Sequence, residues 1–389
     1  MARKQTTKKS SQPKKAPQPP RPSSPSPSSS TSSPPIDPQL LLHQQRILTL
    51  FSDAFNPVLS SDDFSARLQS IKQALFNRDF GAAFGAEENL QAYAARWSPT
   101  RALCYSSIFQ GIAQYMNAAP SSSSSSAASD DDELNANGSI KPSPSSTKTT
   151  TTTPTTRMLC IGGCAAEQIA FASHIHQQQH SSGTLSLLDA GPWGSVTQLL
   201  QKHITSPPTL SKYASAAAKA ANAPLLQQDQ LETSFTQADV LSLERSALQA
   251  IVGTEPLTVT MLFTLNELYT NGGIGKTTHF LKLLGEVLPH DSLLLVVDSP
   301  GSYSEAAVGK EKKRYPMQWL LDHTLLDPRA AAAQSRGDYE WEKLESHDSV
   351  WFRLPEGLHY PIQLENMRYQ MHLYQKKRAP PTKGQSTVE

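Results

Sequence analysis

The sequence predicts an α/β protein, a doubly wound, mostly parallel seven-stranded sheet preceded by an N-terminal helical lobe. Three observations carry this. First, seven apolar runs of strand length follow Arg157: Met158–Ile161, Thr184–Leu188, Ser234–Thr236, Leu257–Leu265, Ser292–Val297, Val350–Leu354 and Met367–Tyr374. Helical or mixed segments separate most of them, the pattern of parallel strands with crossover helices. Second, only a short stretch rich in Pro and Gly joins the last two runs. A hairpin there would make the final strand antiparallel. Third, apolar residues upstream of Asn117 recur with helical spacing instead.

In chain order, residues 1–36 hold Arg3, Lys4, Lys8, Lys9, Lys14, Lys15 and Arg21 without an acid, then Pro and Ser. With so little to bury, this segment is expected to be a disordered basic tail. It reads as a nuclear or nucleolar address or an arm for phosphates, and otherwise as a solvated tail without a partner. Residues 37–117 form the helical lobe. Leu41, Leu48, Phe51 and Phe55 share one face, and Phe64, Leu68, Ile71 and Leu75 repeat the spacing. Ser98-Pro99 reads as an N-cap followed by Pro at the first helical position, opening a new helix. Residues 118–156, with their serine, acidic and threonine runs, are expected to be a disordered linker. The sheet occupies 157–378, with an insertion over 201–230, and 379–389 is a second tail.

Composition narrows the function. The 35 Lys+Arg nearly balance 34 Asp+Glu, so bulk charge does not point to nucleic acid. Three cysteines without C-x-x-C exclude a disulfide framework, argue against a metal site and fit a reducing intracellular compartment. The longest apolar run, Leu293–Val297, is far short of the roughly 20 residues of a membrane span. No membrane and no metal are expected.

The first strand runs into Gly162-Gly163-Cys164-Ala165-Ala166-Glu167, with a helix starting near Gln168. Glycine at such a turn lets backbone approach a ligand, and the following helix N-terminus favours an anionic group. Asp189 ends the second strand, placed to accept two ribose hydroxyls, and Asp239 ends the third, placed to accept from an adenine amino group. Each alone reads as a turn glycine or a capping Asp. Together, at successive strand ends, they point to a nucleoside cofactor. The third glycine of a G-x-G-x-x-G loop is absent, which weighs against NAD. Asn266-Glu267 closes the fourth strand, where it would face a reacting group or cap the next helix. Gly272-Gly273-Ile274-Gly275-Lys276-Thr277 contains G-K-T, but Thr270 stands where a P-loop needs Gly, and the segment lies well past its strand. A glycine-rich turn into a helix over His279–Val287 is expected there. After the fifth strand and Asp298, the loop Lys310-Glu311-Lys312-Lys313-Arg314-Tyr315 suits a phosphate backbone, or is an ordinary solvated loop.

These segments resemble a known class. Arg157–Gly163, Leu187–Asp189, Gln237–Leu241 and Leu262–Leu268 follow the motif order of class I S-adenosylmethionine-dependent methyltransferases, whose fold is Rossmann-like. Tyr93–Leu103, Arg314–Pro316 and Val350–Leu354 resemble a fungal family within it, one similar to enzymes that methylate N3 of a 25S ribosomal-RNA uridine. The resemblance implies S-adenosylmethionine as cofactor. Gly162 and Gly163 would lie at its methionine, Asp189 at its ribose, and Asp239 and Val240 at its adenine. Asn266 and Glu267 would lie beside the reacting methyl, and Glu267, Asp298 or bulk water would take the proton. Lys310, Lys312, Lys313, Arg314 and Tyr315 would contact RNA. Large-subunit ribosomal RNA or a pre-ribosome is the implied partner, and the nucleus or nucleolus, alternatively the cytoplasm, the implied location. A methyltransferase for protein or a small molecule, and an inactive methyltransferase fold serving ribosome assembly, are the alternatives.

Overall fold

The structure, a computed structural model, describes residues 37–117, 155–178, 181–301, 303–308, 311–327 and 339–379. For 303–308 and 311–314 it describes the backbone path alone. The basic tail, nearly all of the 118–156 stretch, Lys310 and residues 380–389 lie outside the described residues.

Six helices come first: α1 (Pro38–Ala54), α2 (Asn56–Leu59), α3 (Phe64–Phe76), α4 (Phe80–Phe84), α5 (Glu87–Gly111) and α6 (Ala113–Met116). Strand β1 (Thr155–Ile161) then takes in the last two residues of the expected linker, followed by α7 (Ala165–Gln177) and β2 (Ser182–Asp189). Helices α8 (Gly194–Ile204) and α9 (Ala216–Ala220), strand β3 (Leu231–Gln237), α10 (Arg245–Val252) and β4 (Thr258–Leu262) come next. The turn α11 (Leu265–Glu267) and a π-helical turn over Leu268–Gly272 lead into α12 (Gly273–Val287) and β5 (Leu293–Asp298). The chain finishes with β6 (Tyr303–Val308), β7 (Glu311–Pro316), α13 (Met317–Leu326), β8 (Tyr339–Phe352) and β9 (Met367–Arg378).

Seven strands form one sheet in the order β3-β2-β1-β4-β5-β9-β8. Strands β1 to β5 are parallel, and β9 runs antiparallel to both β5 and β8, as the short final connection predicts. Parallel strands are covered on both faces and therefore apolar on both. Along β5, Leu293, Leu295 and Val297 enter one core while Leu294 and Val296 enter the other. The first core holds α7 and α8, with α1 and α5 packed outside them through Ile47, Leu48, Phe51 and Phe109. The second holds Leu248 of α10, Phe280 of α12 and Leu321 of α13. Each such side chain contributes about 1.5–3 kcal/mol by burial.

Several sequence expectations are corrected. The fourth strand ends at Leu262, because Phe263 takes a positive φ of 60° and turns the chain into α11. The apolar run continues to Leu265 because Leu265 is itself in the core. The sixth strand of the sheet starts at Tyr339, well before Val350. As an edge strand it buries Tyr339 and Trp341 but exposes Glu340, and such charges discourage edge pairing. Helix α12 begins at Gly273, so the glycine-rich segment is already helical. Helix α7 begins at Ala165, and the insertion begins after Ile204, docking on α1 where Arg46 donates to the Ala223 carbonyl at 2.7 Å. The basic segment is a strand, not a loop: β6 and β7 pair antiparallel, with Ala306 opposite Lys313 and Val308 opposite Glu311.

Ser98-Pro99 does not open a helix. Both lie inside α5, which runs unbroken for 25 residues. Pro99 has no N–H, so the carbonyl four residues earlier lacks its helical donor. That carbonyl belongs to Ala95, and the Tyr360 hydroxyl donates to it at 2.7 Å. Tyr360→Phe is therefore expected to destabilise the protein by about 0.5–1.5 kcal/mol. An unchanged urea midpoint would count against this role.

Candidate active site

A cavity of about 1080 Å³ opens at the carboxyl ends of β1, β2 and β4. This is the switch point of the sheet, where the chain has built outward through β3 and returns to β4 on the other side of β1. Residues of α4 and α5 form the facing wall.

Gly162 and Gly163 lie at the base with φ of 74° and 111°, where L side chains are strained. A Cβ on Gly162 would stand 2.2 Å from Thr264 Cγ2, and one on Gly163 2.7 Å from Glu167 Oε1. The Thr264 hydroxyl donates to the Gly162 carbonyl at 2.7 Å, tying the glycine turn to the end of β4. Asp189 ends β2 as expected and lines the cavity. Its Oδ2 accepts from the Gly163 N–H and its Oδ1 from the Gly191 N–H, both at 2.7 Å. Burial pushes its carboxyl above the usual range, while those two donors and the Trp193 side chain pull the other way. Asp239 and Val240 also line the cavity, two and three residues beyond β3. Asp239 caps a tight turn, accepting from the Leu241 N–H and the Ser242 hydroxyl at 3.0 Å each. A carboxylate accepts about four hydrogen bonds, so both acids retain capacity for a ligand.

Asn266, Glu267 and Asp298 separate. Glu267 faces the cavity, whereas Asn266 and Asp298 do not line it. Asn266 and Glu267 lie in α11 instead of closing β4, because the strand has already ended at Leu262, and Asp298 ends β5. Asp298 is buried and accepts from the Asn266 N–H at 3.0 Å and the Ser299 N–H at 2.7 Å, joining β5 to α11. Glu267 is solvent-exposed where it opens onto the cavity, yet the protein around it still lifts its carboxyl to about 7, with Arg101 opposing the rise and Asp298 and Asp189 adding to it.

Other lining residues carry no assignment in the sequence reading. Glu167 of α7 is 4% exposed, its carboxyl raised to about 7 by burial against the pull of Arg101. Arg101 of α5 donates to the Tyr93 hydroxyl at 2.5 Å and lies 5.5 Å from the Tyr93 ring centre and 5.4 Å from that of Phe263. Trp193 and Phe84 complete an aromatic wall around Tyr93. The spacing of Tyr93, Trp97 and Arg101 at i, i+4 and i+8 on one helix face was the available signal. Lys276 lines the cavity from α12, but α11 and the π-turn separate that helix from β4, unlike a phosphate loop.

Lys312, Lys313 and Arg314 lie on β7, and Lys310 falls outside the described residues. Tyr315 stacks on Trp319 at 5.2 Å, and Trp319 on His323 at 5.2 Å, with half of Trp319 exposed. Among the described residues, no group of three or more His, Cys, Asp or Glu is placed to hold a metal. No described helix is long and apolar enough to cross a membrane.

A family model described as "Putative SAM-dependent methyltransferase" matches residues 51–375. The chain is 27% identical over 370 residues to the 25S rRNA (uridine(2843)-N(3))-methyltransferase of Saccharomyces cerevisiae, covering 88% of each protein. Among solved structures it is similar to the N-methyltransferase NodS from Bradyrhizobium japonicum, at 10% identity over 57% of this chain and 86% of that one, TM-score 0.26. It is also similar to the 16S rRNA (adenine(1408)-N(1))-methyltransferase from Catenulisporales acidiphilia, at 13% identity over 58% and 89%, TM-score 0.29.

Proposed function

This chain belongs to the S-adenosylmethionine-dependent methyltransferase family whose model it matches, and from that premise we propose that it methylates N3 of a uridine in large-subunit ribosomal RNA. The observation that carries the substrate is the match to the yeast enzyme, which spans 88% of both chains and so includes the helical wall of the cavity. The donor set fits the family's cofactor: acceptors for a ribose diol at Asp189, an acceptor at Asp239 beside apolar Val240 for adenine, and exposed backbone at Gly162 and Gly163.

When bound, S-adenosylmethionine supplies an electrophilic methyl on a sulfonium sulfur. The protein's part is mostly alignment of nucleophile, methyl carbon and sulfur. Uracil N3 carries a proton at neutral pH, and Glu267 would accept that proton as N3 becomes the nucleophile. A paired uridine cannot present N3 to an enclosed cavity, so a flipped or single-stranded base is required. Mapping ribosomal-RNA methylation in cells with and without the gene tests the reading. Loss of one N3-methyluridine is expected; an unchanged map, with labelled methyl entering protein instead, would overturn it.

The RNA-facing rim in this reading is β7 with the Tyr315–Trp319–His323 stack. Both follow β5 and emerge at its carboxyl edge, and exposed rings suit splayed bases. Neutralising Lys312, Lys313 and Arg314 together should flatten the salt dependence of RNA binding by up to about 0.7–0.9 log units per lost phosphate contact. Affinity for S-adenosylhomocysteine should stay unchanged, and an unaltered salt slope would remove these residues from the rim. The basic tail serves as a nuclear or nucleolar address in the same reading. Deleting residues 1–36 should disperse a fluorescent fusion from the nucleolus while methyl transfer to naked RNA persists, and continued nucleolar concentration would refute the address.

A further inference from the structure

One cation is enclosed by the cavity while the others stand at its surface. Arg78 and Lys276 are exposed, but Arg101 is held between the Tyr93 and Phe263 rings. A guanidinium has five N–H donors. The Tyr93 hydroxyl takes one of them, and among the described residues no ion pair within 4.0 Å involves Arg101. Half-buried, with Glu167 and Glu267 acting on it but neither paired to it, the guanidinium keeps most of its donors for a ligand anion. One of its two ring contacts comes from Phe263, whose positive φ places a bulky residue in a strained conformation. Strain of this kind persists where the surroundings enforce it, and clusters at ligand sites.

Glu167 is the matching group of opposite sign. It is buried against Gly163 at the start of α7, near enough for Arg101 to affect its titration, yet the two form no ion pair. An acid and a base held apart on α7 and α5, across one cavity, are complementary to an amino-acid zwitterion. We propose that Arg101 binds the α-carboxylate and Glu167 the α-ammonium of the cofactor's methionine end, a clamp built jointly by the N-terminal helices and the sheet. The inference rests on the cofactor reading above. An RNA phosphate is the other anion available to Arg101, but Glu167, Asp189 and Glu267 would all repel it, and exposed Arg78 and Lys276 stand at the surface for that purpose.

Two ligands separate the amino-acid end from the rest. S-adenosylhomocysteine carries it, and 5′-methylthioadenosine keeps the nucleoside and thioether but ends in a methyl group. By calorimetry, Arg101→Gln should weaken S-adenosylhomocysteine about ten- to hundred-fold while 5′-methylthioadenosine changes less than about two-fold. Glu167→Gln should show the same selectivity. An equal loss for both ligands would make Arg101 structural and overturn the clamp, as would no loss for either. Lost affinity for a single-stranded RNA oligonucleotide with both nucleoside ligands unaffected would assign Arg101 to phosphate instead. If Arg101→Gln fails to fold, Arg101→Lys keeps the charge but loses the fork, and the same two-ligand ratio decides. Wild-type protein that binds neither ligand would fail the cofactor reading itself, a result distinct from a failure of the clamp alone.

Discussion

Replacing Glu267 by Gln is expected to slow methyl transfer about 10²–10⁴-fold while leaving affinity for S-adenosylhomocysteine nearly unchanged. The substitution keeps size and shape and removes only the capacity to take a proton. Its pH signature is the sharper test. The protein around the cavity lifts the Glu267 carboxyl to about 7 although the side chain itself is exposed to it, and the active form is the carboxylate. The wild-type rate should therefore rise about ten-fold per pH unit below 7 and level off above it. Glu267→Gln should lose that rising limb. Glu167 also titrates near 7, so Glu167→Gln is the necessary comparison: it should weaken cofactor binding yet keep the limb. A limb that survives in Glu267→Gln and vanishes in Glu167→Gln would transfer the proton to the other acid. A rate that climbs steadily through pH 9 in both variants would mean that N3 loses its proton to solvent before attack.

Asp189→Ala should weaken S-adenosylhomocysteine binding about ten- to hundred-fold, the loss of charged acceptors worth about 1.5–3 kcal/mol. The geometry adds a consequence for stability. Asp189 accepts the N–H groups of Gly163 and Gly191, so its removal also releases both turns that border the cavity. The protein should still fold, since the two cores do not include this side chain, but its melting temperature should fall. Comparing adenosine with S-adenosylhomocysteine in this variant discriminates further: both should lose affinity together, because both carry the ribose. Unchanged affinity for either would reject the ribose assignment. This pattern is the opposite of the one expected for Arg101→Gln, where only the ligand with the amino-acid end suffers.

The fold class was written in the local pattern. Strands buried on both faces are mainly apolar, and the runs around Met158, Leu187, Val259, Val296 and Leu373 are so despite buried polar residues such as Thr260 and His372, so their order along the chain was legible. The final antiparallel strand followed from a connection too short for a crossover. The place of Asp189 at the cavity was legible because it depends only on a strand ending where the sequence shows it ending. What only the tertiary structure decided depends on partners distant in sequence or on a single backbone angle. Helix α5 passes through Pro99 because Tyr360, 265 residues from Ala95 in sequence, supplies the donor that proline cannot. Glu267 faces the cavity while Asn266 does not because successive residues of a helical turn point about 100° apart, and Phe263, at φ of 60°, starts that turn early. Arg101 belongs to a helix that the sequence marks only as a lobe. It becomes part of the site because Phe263 from the end of β4 packs on it there while Glu167 of α7 lines the same cavity, a convergence that the helical spacing along α5 does not by itself reveal.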